Sequence, residues 1–145
     1  MMTNESPTYL LDVNVLVALT KRNHVLYRRA HHWFAGVQSW ATTPMTEAAF
    51  IRLMLNPLVS GMVLKRADVL AVLVALRRWP GHVFIADDSS LAQPVIDLCG
   101  LVGHKQVPDA HLVNLAAQHG AVLATLDGNI EKMLVPDDQK WVHIV

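Results

Sequence analysis

Hydrophobic and polar positions along the chain alternate between two periods, and this alternation predicts strands separated by helices. Short apolar runs of strand length, each bounded by polar or turn-forming residues, recur five times. They occupy residues 8–12, 39–42, 82–86, 122–126 and 141–145. Because strands that alternate with helices form parallel sheets, the pattern predicts an α/β fold with a mostly parallel central sheet flanked by helices.

Capping and turn residues set the ends of the predicted helices. Thr43 followed by Pro44 is typical of a helix start, and the helix MTEAAFIRLMLN is expected to stop at Pro57. An amphipathic helix is predicted over 65–79. Another is predicted over 108–120, which begins with a helix-compatible proline and ends with a capping glycine. Two segments without a period are expected to be loops, namely 99–107 and 128–140.

The chain has 145 residues, of which 52% are hydrophobic, and we expect one domain covering residues 1–145. No internal repeat or linker divides it. Cys99 has no partner for a disulfide, no apolar leader segment opens the chain, and the longest apolar run, 69–76, is too short for a membrane span. We therefore expect a soluble, cytoplasmic protein with no membrane segment.

The charges balance overall but are unevenly placed. Lys plus Arg and Asp plus Glu each number 12, so the net charge does not indicate a strongly basic nucleic-acid-binding protein. Residues 1–80 carry nine basic and four acidic side chains, and the remainder carry three and eight. This asymmetry is compatible with a polyanion-binding surface beside an acidic site, and equally with ordinary solvated helix faces.

Four carboxylates are predicted to meet at one edge of the sheet. Asp12 follows the first strand and Asp127 follows the fourth, and the carboxyl ends of parallel strands lie at the same edge. Glu47 and Asp109 fall in the first turns of two helices whose N-termini point to that edge. Clustered carboxylates repel one another unless a cation neutralises them, and their hard oxygen atoms suit Mg²⁺ or Mn²⁺. The sequence therefore predicts a divalent metal site.

Each of these acids also has a purely structural interpretation. Asp12 is in position to cap the next helix, Asp109 to interact with a helix dipole, and Asp127 to initiate a turn. Glu47 is in position to pair with Arg52 on one helix surface. The joint placement of the four at one edge favours the metal site.

Three stretches together resemble the PIN domain, specifically the VapC-type toxin ribonucleases of bacterial toxin-antitoxin pairs: LLDVNVLVAL, TEAAFIRLMLNP and PDAHLVNLAAQHGAVLATLD. The resemblance extends from Tyr9 to at least Asp127, and the ending WVHIV is similar to the family's closing strand. Its most specific parts are Asp-x-Asn after an apolar strand, and an Asp-Ala-x-Leu helix followed by a strand that ends in Thr-x-Asp. The chain departs from the family at Pro108, where threonine is frequent.

The resemblance implies a Mg²⁺-dependent endoribonuclease that hydrolyses RNA phosphodiester bonds and acts as a toxin controlled by a cognate antitoxin protein. The residues that match the family's acidic catalytic and metal site are Asp12, Glu47, Asp109 and Asp127, with Asn14 and Thr125 as polar supports. Asp12 and Asp109 are the expected primary ligands; Glu47 and Asp127 complete the ligand set, act through bound water or orient the nucleophile. Apolar residues of HHWFAGV and IRLMLNPLV are candidates for an antitoxin groove and a homodimer surface, and core packing explains the same pattern.

Basic residues are candidates for RNA contact beside the acids. They are Lys21, Arg22, Arg28, Arg29 and Arg52. A solvated helix face is the alternative interpretation of the segment 21–29. The histidines lack zinc-site spacing, and a haloacid dehalogenase-type phosphatase is disfavoured because Asn14 stands where that class has a second aspartate. A noncatalytic PIN-like binding module remains an alternative.

Overall fold

The computed structural model describes residues 6–145, and one sheet of five parallel strands lies at its centre. In chain order the strands are β1 (Thr8–Leu11), β2 (Ser39–Thr42), β3 (His82–Phe84), β4 (Val122–Thr125) and β5 (Val142–Ile144). Their order across the sheet is β3-β2-β1-β4-β5, so β1 is the central strand. The predicted α/β fold with a parallel sheet is confirmed.

Helices cover both faces of this sheet. They are α1 (Val13–Thr20), α2 (Tyr27–Phe34), α3 (Pro44–Leu55), α4 (Pro57–Ser60), α5 (Arg66–Arg77), α6 (Val107–Gln118) and α7 (Gly128–Met133). Two 3-10 turns, His104–Gln106 and Pro136–Trp141, precede α6 and β5. Within residues 6–145, none of the helices has the length and apolar character needed to cross a membrane.

The sheet separates two apolar cores, and β1 contributes to both because successive strand residues point to opposite faces. Leu10 is buried with Val113 of α6 in one core. Leu11 is buried with Leu16 of α1 and Phe50 of α3 in the other. Each such side chain contributes about 1.5–3 kcal/mol when it is fully buried. The end of β1 is therefore firmly anchored on both sides.

A long connection, residues 85–103, runs from β3 to the turn before α6 without a strand or helix of its own. It is tied to α6 by polar contacts. Asn114 Oδ1 accepts the N–H of Val95 (2.8 Å), and His111 Nε2 lies 2.7 Å from Asp87 Oδ1. These contacts help to fix the position of α6 against the sheet.

The prediction of a loop over 128–140 is wrong, because this segment contains α7 and the second 3-10 turn. Asp127 begins α7 by accepting the N–H of Asn129 on Oδ1 (2.9 Å). Ile130 and Met133 are then buried on the same side of the helix. A cap and two core contacts are enough to hold a helix of six residues that has too few turns to show a period.

The other predicted element ends differ from the structure by a few residues. The segment 99–107 is largely irregular, as predicted, but its end forms a 3-10 turn and α6 begins at Val107. Pro57 ends α3 as predicted and also starts the short helix α4. β1 stops one residue early because Asp12 serves as the cap of α1.

Candidate active site

Asp12 stands at the end of β1, and only 5% of its surface is exposed. Its Oδ1 accepts the N–H of Val13 (2.7 Å), and its Oδ2 accepts the hydroxyl of Thr125 (2.8 Å). Burial raises the pKa of Asp12; the hydrogen bonds from Thr125 and Val13 act in the opposite direction, and the charge of Asp127 adds to the increase. A buried, well-oriented carboxylate of this kind suits a bound cation.

The two predicted polar supports join Asp12 to the end of β4. Thr125 Oγ1, which donates to Asp12, also accepts hydrogen bonds from Asn14 Nδ2 (3.1 Å) and from the N–H of Asp127 (3.1 Å). Asn14 Oδ1 accepts the N–H of Leu126 (3.1 Å). The Thr125 hydroxyl and the Asn14 amide therefore hold Asp12 and Asp127 in fixed relative positions.

Asp109 lies in the first turn of α6, and its environment penalises ionisation. The pKa of Asp109 is raised to about 6, first by burial and then by the negative charges of Asp12 and Asp127. Asp127 in turn caps α7, as described above. The structure thus brings three of the four predicted acids close enough for their charges to interact. Asp12 and Asp127 therefore cap helices and also belong to the shared acidic site.

Asp12 and Asp109 face a common cleft of about 130 Å³ between α3 and α6. The cleft combines the two carboxylates with apolar side chains, one hydroxyl and one guanidinium. The other lining residues are Val13, Met45, Thr46, Ala49, Arg52, Pro108 and Leu112. A negatively charged floor beside a cationic side chain can accommodate both a metal ion and an anionic ligand.

Glu47, the fourth predicted acid, makes its contacts on another side of α3. Its Oε2 accepts the hydroxyl of Thr42 (2.6 Å), and its Oε1 lies 3.6 Å from Arg77 Nη1 on α5. The predicted pairing with Arg52 is wrong, because residues five apart on a helix point about 140° away from each other. Glu47 is not among the residues that line the cleft of Asp12.

The residues that hold Glu47 had not been predicted. Thr42 uses its hydroxyl proton on Glu47, so its second contact, with His82 Nε2 (2.7 Å), requires His82 to donate from that nitrogen. Burial and then the charge of Arg77 lower the pKa of His82, which favours this neutral ring, whereas Glu47 acts in the opposite direction. The available signal was the strand alternation, which places Thr42 on the same face as Trp40, the β2 partner of His82.

This network predicts a loss of stability when the Thr42 hydroxyl is removed. We expect Thr42→Val to lower the free energy of unfolding by about 1–3 kcal/mol, because the partly buried Glu47 and His82 atoms lose their shared partner. Urea unfolding measures the change as a lower midpoint with the same slope.

Thr42→Ser is the matched control, because it removes the methyl group and keeps the hydroxyl that Glu47 and His82 share. We expect it to retain most of the stability that Thr42→Val loses. Equal midpoints for Thr42→Val and Thr42→Ser would show that the Thr42 network does not contribute to stability.

Some of the predicted basic side chains donate hydrogen bonds to backbone carbonyls, and others are exposed to solvent. Lys21 Nζ donates to the Val59 carbonyl (2.8 Å), and Arg29 donates to the carbonyl of Val145. Arg22 and Arg28 are exposed. Lys21 follows the far end of α1, about 12 Å along the helix from Asp12, so the segment starts farther from the acids than predicted.

The donor set fits a hard divalent cation. Carboxylate oxygens are the ligands that Mg²⁺ and Mn²⁺ prefer. Within residues 6–145, no three acidic, histidine or cysteine side chains are close enough to hold a metal ion by themselves. Mg²⁺ usually keeps several water molecules and uses one or two protein carboxylates. Asp12 and Asp109, which share one cleft, fit that mode of binding.

Comparison with known proteins agrees with this arrangement. Residues 9–134 match the family described as the PIN domain. The chain belongs to the PIN-domain family. Its relatives include three proteins of Mycobacterium tuberculosis. They are Ribonuclease VapC38 (46% identical, covering 83% of this chain and 86% of the relative), Ribonuclease VapC39 (42%; 83% and 88%) and Ribonuclease VapC29 (37%; 85% and 88%). The chain is therefore a PIN domain of the VapC type.

Within the PIN-domain family, the departure at Pro108 has a local explanation in this structure. Pro108 lies in the first turn of α6, where a backbone N–H has no helical partner and is not missed. Its ring lines the cleft beside Asp109. The substitution therefore preserves the helix that carries Asp109 and makes the wall of this PIN-domain cleft more apolar.

Proposed function

We propose that this PIN domain is a metal-dependent endoribonuclease and the toxin of a toxin-antitoxin pair, acting in the cytoplasm. The observation that carries the proposal is the cleft that Asp12 and Asp109 share, with Asp127 tied to Asp12 through Thr125. The relatives are named ribonucleases of the VapC series, which supports RNA as the substrate. Mg²⁺ is the proposed cofactor, and Mn²⁺ has the same ligand preference.

In the proposed reaction, a water oxygen forms a bond to phosphorus while the bond to the leaving 3′ oxygen breaks. A bound divalent cation supplies an activated water molecule and charge neutralisation. Asp12 and Asp109 are its proposed primary ligands, and Asp127 completes the set or acts through bound water. Glu47 takes a supporting part, since Thr42 and Arg77 engage its carboxylate.

Thr125 and Asn14 position the acids and do not themselves react. Their hydrogen bonds to Asp12, to the N–H of Asp127 and to each other restrict both carboxylates before any ligand arrives. Such preorganisation lowers the cost of assembling the site during the reaction. The phosphates of the RNA strand away from the cleavage point are proposed to contact the basic segment. Its members are Lys21, Arg22, Arg28 and Arg29.

Cleavage of a labelled single-stranded RNA tests the function directly. Activity with Mg²⁺ or Mn²⁺ that is lost in EDTA is the expected result. The same samples are tested with p-nitrophenyl phosphate. Phosphatase activity alone would support the haloacid dehalogenase alternative, and RNA binding without either activity would support a noncatalytic module. Cleavage that persists unchanged in EDTA would contradict the metal-dependent mechanism.

The proposed partners are a cognate antitoxin and a second copy of the chain. An apolar groove between α3 and α5 is lined by Phe50, Met54 and Val69. Leu58 of α4 and Val63, which precedes the lining residue Leu64, are largely exposed, although large apolar patches are normally covered. Part of IRLMLNPLV therefore borders an open surface, in agreement with the proposed use of that segment. In HHWFAGV, Trp33 packs against a core, whereas His31, Phe34, Ala35 and Val37 line a second open cleft.

Expression experiments test the toxin assignment. We expect the chain alone to slow growth, and a small protein encoded beside it to relieve the effect by binding. Asp12→Asn is the control, since it should remove the growth defect while the antitoxin still binds. Free expression of the wild-type chain without slower growth would contradict the proposed toxin role. Light scattering of the purified chain measures whether it forms the proposed homodimer.

A further inference from the structure

Arg52 is the cationic side chain that lines the carboxylate cleft. Met45, Ala49 and Arg52 follow one another at helical spacing, so they lie on one face of α3. Asp12 and Asp109 line the other side of the same cleft. Arg52 is thus carried by a helix to the cleft that the two carboxylates line.

The charge of Arg52 is not used by the fold. Its side chain is exposed, and among residues 6–145 no hydrogen bond or ion pair engages it. Two other arginines differ in this respect. Arg77 pairs with Glu47 and lies over the ring of Phe84, 4.7 Å from its centre, and Arg29 donates to a backbone carbonyl. Arg52 is therefore free to bind an anion that enters the cleft.

The surroundings of Arg52 suit a phosphate group. Met45, Pro108 and Leu112 provide apolar walls beside the two carboxylates, and apolar surroundings strengthen charge interactions. A planar guanidinium can donate two parallel hydrogen bonds to two oxygens of one phosphate. The carboxylates Asp12 and Asp109 repel a phosphate when they are alone, so a cationic group beside them is needed to bring the two together.

We propose that Arg52 is a catalytic residue that binds the phosphate at the cleaved bond and neutralises the charge that grows on its non-bridging oxygens. This inference rests on the proposed ribonuclease function. During hydrolysis the attacking water gives up a proton, the electron pair of the breaking bond goes to the leaving oxygen, and that oxygen takes a proton. The negative charge that grows on the non-bridging oxygens is matched better by the Arg52 guanidinium at the transition state than in the bound substrate, so Arg52 acts mainly on kcat.

Steady-state RNA cleavage by Arg52→Gln, Arg52→Lys and Arg66→Gln tests the inference. Arg66 is an exposed arginine at the start of α5, outside the cleft, and its substitution removes the same charge. We expect Arg52→Gln to lower kcat by about 10²–10³ with a smaller change in KM. Arg52→Lys should recover part of the loss, because an ammonium keeps the charge without the paired hydrogen bonds. Arg66→Gln should match the wild type.

Binding provides a readout that does not depend on a loaded metal. In EDTA and an Asp12→Asn background, fluorescence anisotropy with a labelled RNA strand should show only a few-fold weaker binding for Arg52→Gln. The slope of log affinity against log salt should fall by about 0.7, as for one lost phosphate contact on a single strand. Thermal melts confirm folding, and Arg52→Lys decides the matter if Arg52→Gln does not fold.

The outcomes separate failure of this inference from failure of the function. Equal kcat values for Arg52→Gln and Arg66→Gln, with Asp12→Asn inactive, would overturn the role of Arg52 and leave the ribonuclease assignment in place. A loss confined to KM would also overturn it, because Arg52 would then only bind substrate. A wild-type protein that cleaves no RNA with Mg²⁺ or Mn²⁺ would overturn the proposed function itself.

Discussion

Replacement of Asp12 by asparagine is expected to reduce the rate of RNA cleavage by about three orders of magnitude or more. The substitution removes one negative charge from the proposed cation site at the position where Thr125 and Val13 orient the carboxylate. The shape of the side chain is nearly unchanged. Single-turnover cleavage of a labelled RNA with excess enzyme measures the chemical step without interference from product release.

Stability should change much less than activity. Asparagine loses the acceptor for the Thr125 hydroxyl, which costs about 1 kcal/mol. It also removes a buried charge whose ionisation the protein opposes, as the raised pKa of Asp12 indicates, and this gain offsets the loss. Asp137→Asn, at an exposed position in the second 3-10 turn, is the control. Wild-type cleavage by a folded Asp12→Asn protein would exclude Asp12 from the mechanism.

Asp109→Asn should lose cleavage to a similar extent, and its stability should distinguish a metal ligand from a helix cap. The pKa of Asp109 rises from an ordinary 3.8 to about 6. A difference of this size corresponds to about 3 kcal/mol for a fully buried group, and because water reaches part of this side chain we expect about 1 kcal/mol. In EDTA at pH 8, the asparagine variant should therefore melt at a higher temperature than the wild type.

The sign of this effect follows from the direction of the shift. The folded protein binds the Asp109 proton more tightly than the unfolded chain, so stability is lost as the pH rises from 3.8 through about 6. The advantage of Asp109→Asn should consequently be smaller at pH 5 than at pH 8. Added Mg²⁺ stabilises the wild type through a site that the variant has weakened, so the difference should narrow or reverse.

Asp68→Asn is the matched control, because Asp68 also lies in the first turn of a helix, α5, away from the cleft. Loss of a helix-dipole interaction alone should lower its melting temperature slightly, by the same amount in EDTA and in Mg²⁺. The same metal-independent decrease for Asp109→Asn would mean that Asp109 only stabilises its helix.

The part of the candidate site that lies at the ends of strands could be predicted from the sequence. Asp12 and Asp127 follow apolar runs, and in a parallel sheet the ends of those runs share an edge whatever the details of packing. The supports Asn14 and Thr125 accompany them within two residues. Backbone periodicity was sufficient here because a strand has only two faces.

The part of the site that lies on helices was harder to predict, because a helix can present a side chain in any direction around its axis. Glu47 and Arg52 were placed on one surface by proximity along the chain, but α3 packs between α1 and α5 and turns Glu47 toward Arg77. The spacing of Met45, Ala49 and Arg52 indicates that these three residues share one face of α3. It does not show what that face opposes, because the other wall of the cleft comes from α6, which is distant in sequence.

The hydrogen bond between Asp12 and Thr125 spans 113 positions of the chain, and this separation governs when activity can begin. A ribosome synthesises β1 first, and β1 then has no β4 beside it to orient the carboxylate. Pairing between such distant strands forms late in folding. Under the proposed function, a nascent chain that lacks β4 has no Thr125 to orient Asp12, so we expect RNA cleavage to begin only after β4 has been synthesised.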